Sequence, residues 1–368
     1  MHIGFLIPGL HGGGAEFVTR QWIGELVRRG HDVTAYTFSP KAGEDDASLL
    51  PAGVRVTPFR SRSRLLKAQG LPLWLRRRAT EDRLDVLVAM MTYANIAAVV
   101  GLRTVKALPC PVVISERNLA TAALQYQGEV VGSGARAKRL LASAVYRRAD
   151  AVMAISHPVA GDLVGGYRVA PGRVTVVPNP VLDLGAPDAA PAIPAALHLV
   201  FVGRLVRQKR PELVLDTVAE LRARGVDARV TYLGKGPEQE PLERRAREAG
   251  VPAAFPGWHE PWWGAVPDAD CLVLPSLVEG FGNVLVEATA QRIPVVAASG
   301  ALGTADAVVP GLTGELAVGD TAAEYADAVL RAAAPTPPDP VDGWLRHFSV
   351  HHSTSALLQV LERARAGA

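Results

Sequence analysis

The sequence predicts an α/β protein built from two doubly wound, Rossmann-like domains facing each other across a cleft. Three observations lead there. Short aliphatic, strand-like runs alternate with helical patterns along the whole chain, which is the signature of parallel sheets. A glycine-bearing turn follows the first such run of each half, at Pro8–Glu16 and at Gly203–Arg210. A stretch rich in Pro, Ala, Asp and Gly, Pro178 to Pro194, divides a chain of 368 residues near its middle, leaving room for two domains of ordinary size.

In the first half the expected strands are Ile3–Ile7, Val33–Thr37, Val86–Met90, Val112–Ser115, Ala151–Ile155 and Val174–Val177. In the second they are Leu199–Gly203, Arg229–Leu233, Cys271–Leu274, Val295–Ala298 and Gly314–Leu316. The expected boundaries are a first domain over 1–180, a linker over 181–196, a second domain over 197–340 and a terminal helical segment over 341–368. Ala332 to Pro340 reads as a Pro-rich hinge, and Trp344 to Arg365 as a helix anchored by Trp344, Phe348, Leu357, Leu358 and Leu361.

Hydrophobic residues at 49% and charged residues at 20% describe a soluble globular protein. The start, Met1 to Pro8, has no basic region ahead of its short apolar run and reads as a first strand rather than a leader. The apolar window Leu84–Leu102 is broken by Asp85, Thr92, Tyr93 and Asn95, so a strand plus a buried helix fits it better than a membrane span. Cys110 and Cys271 have no metal-ligand spacing and suit a reduced, cytoplasmic core. The net charge of +3 hides an asymmetry: residues 1–180 hold 23 Lys+Arg against 13 Asp+Glu, and residues 181–368 hold 16 against 23. A basic first half suits an anionic surface. No nucleic-acid module is recognisable, and few aromatics lie among the arginines, so nucleic acid is not an expected partner.

Pro8-Gly9-Leu10-His11-Gly12-Gly13-Gly14-Ala15-Glu16 feeds a helix running to about Arg29. A glycine loop at a helix N-terminus is an anion cradle, or else a plain turn. It lacks the Gly-x-Gly-x-x-Gly spacing, and Thr37-Phe38-Ser39 supplies no acid for an adenosine ribose, which argues against a nicotinamide enzyme. In the second half, Gly203-Arg204 ends the first strand and Lys209 comes five residues after the arginine, so a guanidinium fork and an ammonium can meet one pocket. Leu233-Gly234-Lys235 and Pro256-Gly257-Trp258 end the next two strands; Trp258, with Trp262 and Trp263, can stack on a base or simply pack a corner. Asp268-Ala269-Asp270 imitates an Asp-x-Asp metal motif but precedes the buried Cys271 strand, away from the strand carboxyl ends. It reads as a turn, and no metal is expected.

The densest signal is Pro275-Ser276-Leu277-Val278-Glu279-Gly280-Phe281-Gly282-Asn283-Val284-Leu285-Val286-Glu287. It reads as a strand end, a turn with a glutamate and two glycines, and a helix starting near Asn283. Glu279 lies just outside the first helical turn and Glu287 one turn inside. The N–H groups there favour an anion, while carboxylates repel phosphate and suit hydroxyls. A phosphate flanked by hydroxyl-holding acids describes a nucleotide-sugar; the plainer alternative is a corner whose glutamates merely cap it.

This Glu-x7-Glu turn resembles that of retaining glycosyltransferases of the GT-B type, family 4, as do Gly13-Gly14-x-Glu16 and Gly203-Arg204-Leu205 with Lys209. The resemblance covers nearly the whole chain, with its most specific motifs in residues 200–316. It implies an acceptor-side first domain, a second domain that binds the nucleotide-sugar, and a terminal helix that crosses back to the first. It further implies that Arg204 and Lys209 hold the donor diphosphate with Phe281, Gly282, Asn283 and Val284, that Gly13, Gly14 and Gly203 lie near the donor, and that Gly234 and Trp258 lie near its nucleobase. Glu287 would take the ribose and Glu279 the sugar, making Glu279, Arg204 and Lys209 the expected catalytic set. Arg210 stands where the family has glycine. The family's usual sugar-side histidine is missing at Ile114–Asn118, where Glu116 and Arg117 stand instead; His157 and Glu16 are further candidates for the acceptor or sugar side.

The function implied is transfer of a hexose or N-acetylhexosamine from a nucleotide-sugar, expected to be a UDP-sugar, to a hydroxyl acceptor such as a glycolipid, a polysaccharide precursor or an aminocyclitol, without metal or other cofactor. A GT-B nucleotide-sugar epimerase and a non-catalytic nucleotide-binding protein are the alternatives. The Ala/Arg/Gly-rich composition is reminiscent of high-GC actinobacteria. Arg60 to Arg78 combines arginines with leucines and a tryptophan, interrupted by Pro72; it suits either peripheral docking on an anionic membrane or an ordinary packed helix.

Overall fold

The chain forms two compact units, Met1–Val181 with His347–Ala368, and Leu182–Arg346. In the computed structural model the described residues are all except 40–44, 61–63, 104–109, 120, 122–132, 182–195, 333–337 and 368, so most of the expected linker lies outside them. Side chains of 64–69, 133–139 and 338–339 are likewise outside the description.

The first unit holds strands β1 (His2–Ile7), β2 (Asp32–Thr37), β3 (Arg55–Pro58), β4 (Val86–Met90), β5 (Val112–Glu116), β6 (Ala151–Ala154) and β7 (Val174–Val176). Their order in the sheet is β3-β2-β1-β4-β5-β6-β7, with every pair parallel. The sheet is buried on both faces, so its strands are continuous apolar runs, which is why they were legible. β3 was not anticipated. It is an edge strand ending in Pro58, exposed or half-buried throughout, so it lacks the apolar run that marks the others.

The helices of this unit are α1 (Gly14–Arg28), α2 (Arg64–Glu81), α3 (Thr92–Arg103), α4 (Ser133–Tyr146) and α5 (His157–Gly165). α2 runs through Pro72 rather than being interrupted by it. A proline inside a helix forgoes one backbone hydrogen bond. Here the helix is held against α3, where Gly101 lies so close that an added Cβ would meet the Pro72 carbonyl oxygen at 2.5 Å. Of the side chains described on α2, Leu71 and Leu75 are fully buried, Trp74 packs on Tyr36 and Phe59, and Leu73 points outward.

The chain end also belongs to this unit. One continuous helix from Trp344 was expected, but two form. Pro338–Leu345, in the second unit, ends before Ser349, whose extended backbone and side chain cap a new helix, Val350–Ala366, by accepting from the His352 N–H at 3.2 Å. The second helix packs on α1. Leu357 and Leu361 join Ile3, Phe5, Val18 and Trp22 in one core, and the indole N–H of Trp22 donates to Ser353 Oγ at 2.8 Å.

The second unit has a six-stranded parallel sheet, made of β8 (Leu197–Val202), β9 (Ala228–Leu233), β10 (Ala253–Ala254), β11 (Cys271–Leu274), β12 (Val295–Ala298) and β13 (Gly314–Ala317). Its order is β10-β9-β8-β11-β12-β13. Helices α6 (Pro211–Ala223), α7 (Gln239–Ala249), α8 (Asn283–Ala290) and α9 (Ala322–Ala332) cover it, and Phe201, Val214, Tyr232, Val273 and Tyr325 are core residues. The expected α/β class is thus present in both units. Among the described residues no helix is long and apolar enough to cross a membrane.

Candidate active site

An open parallel sheet binds ligands where its strand order reverses, outside the carboxyl ends of the strands. In the second unit that point lies between β8 and β11. The turns leaving these two strands run side by side. Leu277 donates its N–H to the Gln208 carbonyl at 2.9 Å, and the Gln208 amide donates to the Val278 carbonyl at 2.9 Å. This pairing carries Lys209 to Glu279, and the two form an ion pair. Their side chains are 17% and 11% exposed, so the charges are mostly shielded yet reachable. Ser276 Oγ donates at 2.7 Å to Oε1 of Glu279, the same oxygen that takes the lysine. The backbone of Glu279 is pinned as well. Its N–H donates to Ala301, its carbonyl accepts from Gly303, and a Cβ on Gly303 would lie 2.3 Å from that carbonyl oxygen.

Arg210 takes a backbone conformation that glycine adopts more readily. Its backbone is left-handed, φ 46°, at the start of α6. The guanidinium compensates by donating to the Pro275 carbonyl at 2.5 Å, which stitches the same two turns, and to Asp320 at 2.6 Å in the loop after β13. Arg204 stands exposed on the β8 turn, with no ion pair among the described residues. Gly203 and Gly234 end neighbouring strands so closely that a Cβ on Gly234 would fall 1.8 Å from the Gly203 oxygen.

Past Phe281, which is buried, Gly282 takes φ 95° and α8 begins at Asn283. Val284 lies in its first turn, where helical N–H groups have no partner within the helix. Glu287 lies one turn on, and its Oε2 accepts the indole N–H of Trp262 at 2.7 Å. Burial pushes the Glu287 carboxyl up to about 7; the Trp262 bond acts against this, and the Glu260 charge adds to it. Trp262 is 2% exposed and edge-on to Trp263, so it is a packed residue, not a stacking platform. Trp258 is 51% exposed. The Asp268 and Asp270 carboxylates are turned to the His198 ring and His198 N–H, at the amino end of β8, and Asp268 also pairs with Arg229.

In the first unit the turns after β1, β5 and β6 all leave the same, carboxyl edge of the sheet. Gly13 is the N-cap of α1 with no side-chain cap, Gly14 opens the helix, and Glu16 lies in its first turn. Leu10 fixes this loop by donating its N–H to Asp46 at 2.7 Å. Glu116, at the end of β5, is 1% exposed and fully engaged, accepting from Tyr146 at 2.7 Å, from Thr92 at 3.3 Å and from the Arg117 N–H at 3.0 Å. Burial raises its carboxyl and lowers the Arg117 guanidinium to about 9, opposed by Glu116 and Glu16. Arg117 lies over the Trp22 ring and donates to Asn179 Oδ1 at 2.5 Å. His157 is exposed at the first position of α5, which Ser156 caps.

Sequence reasoning gave no role to Ser276, Asn179, Thr92 or Tyr146. Each reaches its partner through tertiary packing, except Ser276, whose place three residues before Glu279 was a usable local signal. The Trp262–Glu287 bond was also missed, since the two are 25 residues apart on different elements.

Two doubly wound units, each with its loops gathered at one sheet edge, define the GT-B fold. Residues 12–182 match the family model for Glycosyltransferase Family 4, and residues 196–334 match that for Glycosyl transferases group 1. Both halves of the chain therefore carry glycosyltransferase domains. The D-inositol 3-phosphate glycosyltransferase 2 of Catenulispora acidiphila is 36% identical over 207 residues, 49% of this chain and 47% of that one. The chain thus spans about half the length of that relative. The 2-deoxystreptamine glucosyltransferase of Streptomyces kanamyceticus is 28% identical over 88% of this chain and 91% of its own. Among solved structures, the lipopolysaccharide outer core galactosyltransferase WaaB superposes with a TM-score of 0.78 at 19% identity, covering 98% of this chain and 99% of its own. Anabaena HepE, solved with UDP and glucose, gives 0.75 at 19% identity, with the same coverage.

Proposed function

We propose that this protein is a retaining glycosyltransferase that moves a hexosyl group from a UDP-sugar to a hydroxyl of a cyclitol-type acceptor. The observation that carries the reading is the Lys209–Glu279 ion pair at the strand-order reversal of the second unit, beside the start of α8. When a nucleoside diphosphate leaves an anomeric carbon, negative charge builds on its β-phosphate. Lys209, Arg204 and the first-turn N–H groups of α8, including that of Val284, stabilise that charge. Fixed donors of this kind are commonly the largest catalytic contribution. Charge-assisted hydrogen bonds contribute about 1.5–3 kcal/mol each, against at most about 2 kcal/mol for a helix end, so the cations matter more than the dipole. Oε2 of Glu279 accepts from a sugar hydroxyl, and Glu287 from the ribose. The C1–O bond to phosphate breaks, the acceptor oxygen bonds C1 on the same face, and the acceptor's proton passes to the departing phosphate oxygen. No metal and no further cofactor enters.

The cyclitol acceptor is supported by two relatives whose names specify one, D-inositol 3-phosphate and 2-deoxystreptamine. UDP is supported by the HepE complex. Action at the inner face of a membrane would use Leu73, which is 72% exposed on α2, and Arg77 one turn on, which is 77% exposed and pairs with Glu81. A thermal-shift screen with UDP, GDP, ADP and NAD, followed by turnover of the best nucleotide's sugars with inositol 3-phosphate and 2-deoxystreptamine, tests the reading. Stabilisation by NAD alone overturns it. Inversion of the UDP-sugar without an acceptor would mark an epimerase instead.

A further inference from the structure

We infer that Trp262 is the positioning residue for the nucleotide's ribose: its indole N–H fixes one oxygen of Glu287, so that the other is presented to the ribose hydroxyls. This rests on the donor reading above, in which Glu287 faces the ribose, and adds a residue to it. Glu287 is on a helix, with three side-chain torsions and a carboxylate that turns freely unless something holds it. The observed partner is Trp262, 2.7 Å from Oε2. Trp262 is itself closely packed. It is 2% exposed, sits in the short turn Trp262–Ala265 and is packed edge-on against Trp263. An indole N–H donates and never accepts, so it can orient Glu287 only as an acceptor. That leaves Oε1 of the ionised acid to receive hydroxyl hydrogens, which a ribose diol can supply.

The bond also sets the charge of the site. Burial and the neighbouring Glu260 both favour the neutral acid, and the Trp262 N–H is the contact that opposes them. A neutral Glu287 has one oxygen converted from acceptor to donor. The Trp262 contact therefore favours the ionised, accepting form, and removing it shifts ribose recognition to higher pH.

The test compares the affinities of UDP and 2′,3′-dideoxy-UDP, by calorimetry from pH 6 to pH 9, for wild type, Trp262→Phe, Glu287→Gln and the double variant. Wild type is expected to prefer UDP, with the preference growing as pH rises through about 7. In Trp262→Phe the preference at pH 7 falls about five- to tenfold, dideoxy-UDP binds as before, and part of the loss returns by pH 9. In Glu287→Gln the preference is small and independent of pH, and adding Trp262→Phe changes it little. Equal weakening of both nucleotides by Trp262→Phe assigns Trp262 to packing alone and overturns the inference, as does an unchanged preference with an unchanged pH profile. A wild type indifferent to the ribose hydroxyls removes the ribose role of Glu287, and with it the inference. Failure of wild type to bind UDP at all overturns the donor reading instead.

Discussion

Lys209 and Glu279, 70 positions apart in sequence, are bonded through the oxygen that Ser276 also reaches, and this contact closes two loops over one point of the sheet edge. Both side chains are largely buried, so removing either charge leaves the other poorly paired. Lys209→Met and Glu279→Gln should each destabilise the second unit by about 2–3 kcal/mol. The double substitution should cost clearly less than their sum, as residues in one network couple. Chemical denaturation of the four proteins measures this. Under the proposed function, sugar transfer by Arg204→Ala/Lys209→Ala should fall at least about a hundredfold, since that function gives both residues charge-assisted contacts to the leaving group. An unchanged rate would remove the diphosphate from this pocket.

Arg210 separates backbone strain from side-chain compensation. A left-handed non-glycine residue costs about 1–2 kcal/mol, and the guanidinium bonds to Pro275 and Asp320 return a similar amount. Arg210→Gly should therefore be near neutral in stability. Arg210→Ala keeps the strained φ and loses both bonds, and should cost about 2 kcal/mol. A glycine variant less stable than the alanine one would contradict this balance, and thermal melts of both suffice to decide.

How much of this was legible beforehand follows from periodicity and from locality. Eleven strands showed as apolar runs because the sheets are covered on both faces, whereas Arg55–Pro58 was invisible at its half-exposed edge and Ala253–Ala254 is a two-residue edge strand too short to mark itself. The Pro275–Glu287 turn was legible because its spacing puts everything within two turns of one helix start. The break at Ser349 was missed although a local signal was present: Phe348 and Leu357 stand nine residues apart, which would put them on opposite faces of one continuous helix. The partners of Glu116 were hidden for another reason. Tyr146 and Thr92 are 30 and 24 residues away and look like ordinary helix residues until the sheet brings them together.

Gly234 tests the close approach of the β8 and β9 turns. A Cβ there would lie 1.8 Å from the Gly203 carbonyl oxygen, an approach that only backbone movement can relieve. Gly234→Ala should cost more than about 3 kcal/mol or leave the second unit unfolded. Gly264→Ala, where nothing lies within 4 Å, is the matched control and should change stability by less than about 0.5 kcal/mol. Equal behaviour of the two in urea unfolding would refute the geometry.

Glu287 makes the unliganded protein's stability depend on pH with a definite sign. Its carboxyl rises from the ordinary 4.5 to about 7 on folding, so the folded state holds a proton that the unfolded state has released. Below about 4.5 the group is protonated in both states and costs nothing. Between 4.5 and 7 stability is lost as pH rises, and above 7 the full penalty of the buried charge remains. Glu287→Gln removes that penalty while keeping an oxygen for Trp262. Without nucleotide, it should be more stable than wild type by about 1–3 kcal/mol at pH 8 and nearly equal to it at pH 4.5. Saturating UDP should reduce or reverse the difference at pH 8, because ribose hydroxyls would then solvate the wild-type carboxylate. Melting temperatures at the two pH values, with and without UDP, decide the point. A glutamine variant less stable at pH 8 in the absence of nucleotide would mean that the carboxylate is already well solvated in the empty protein.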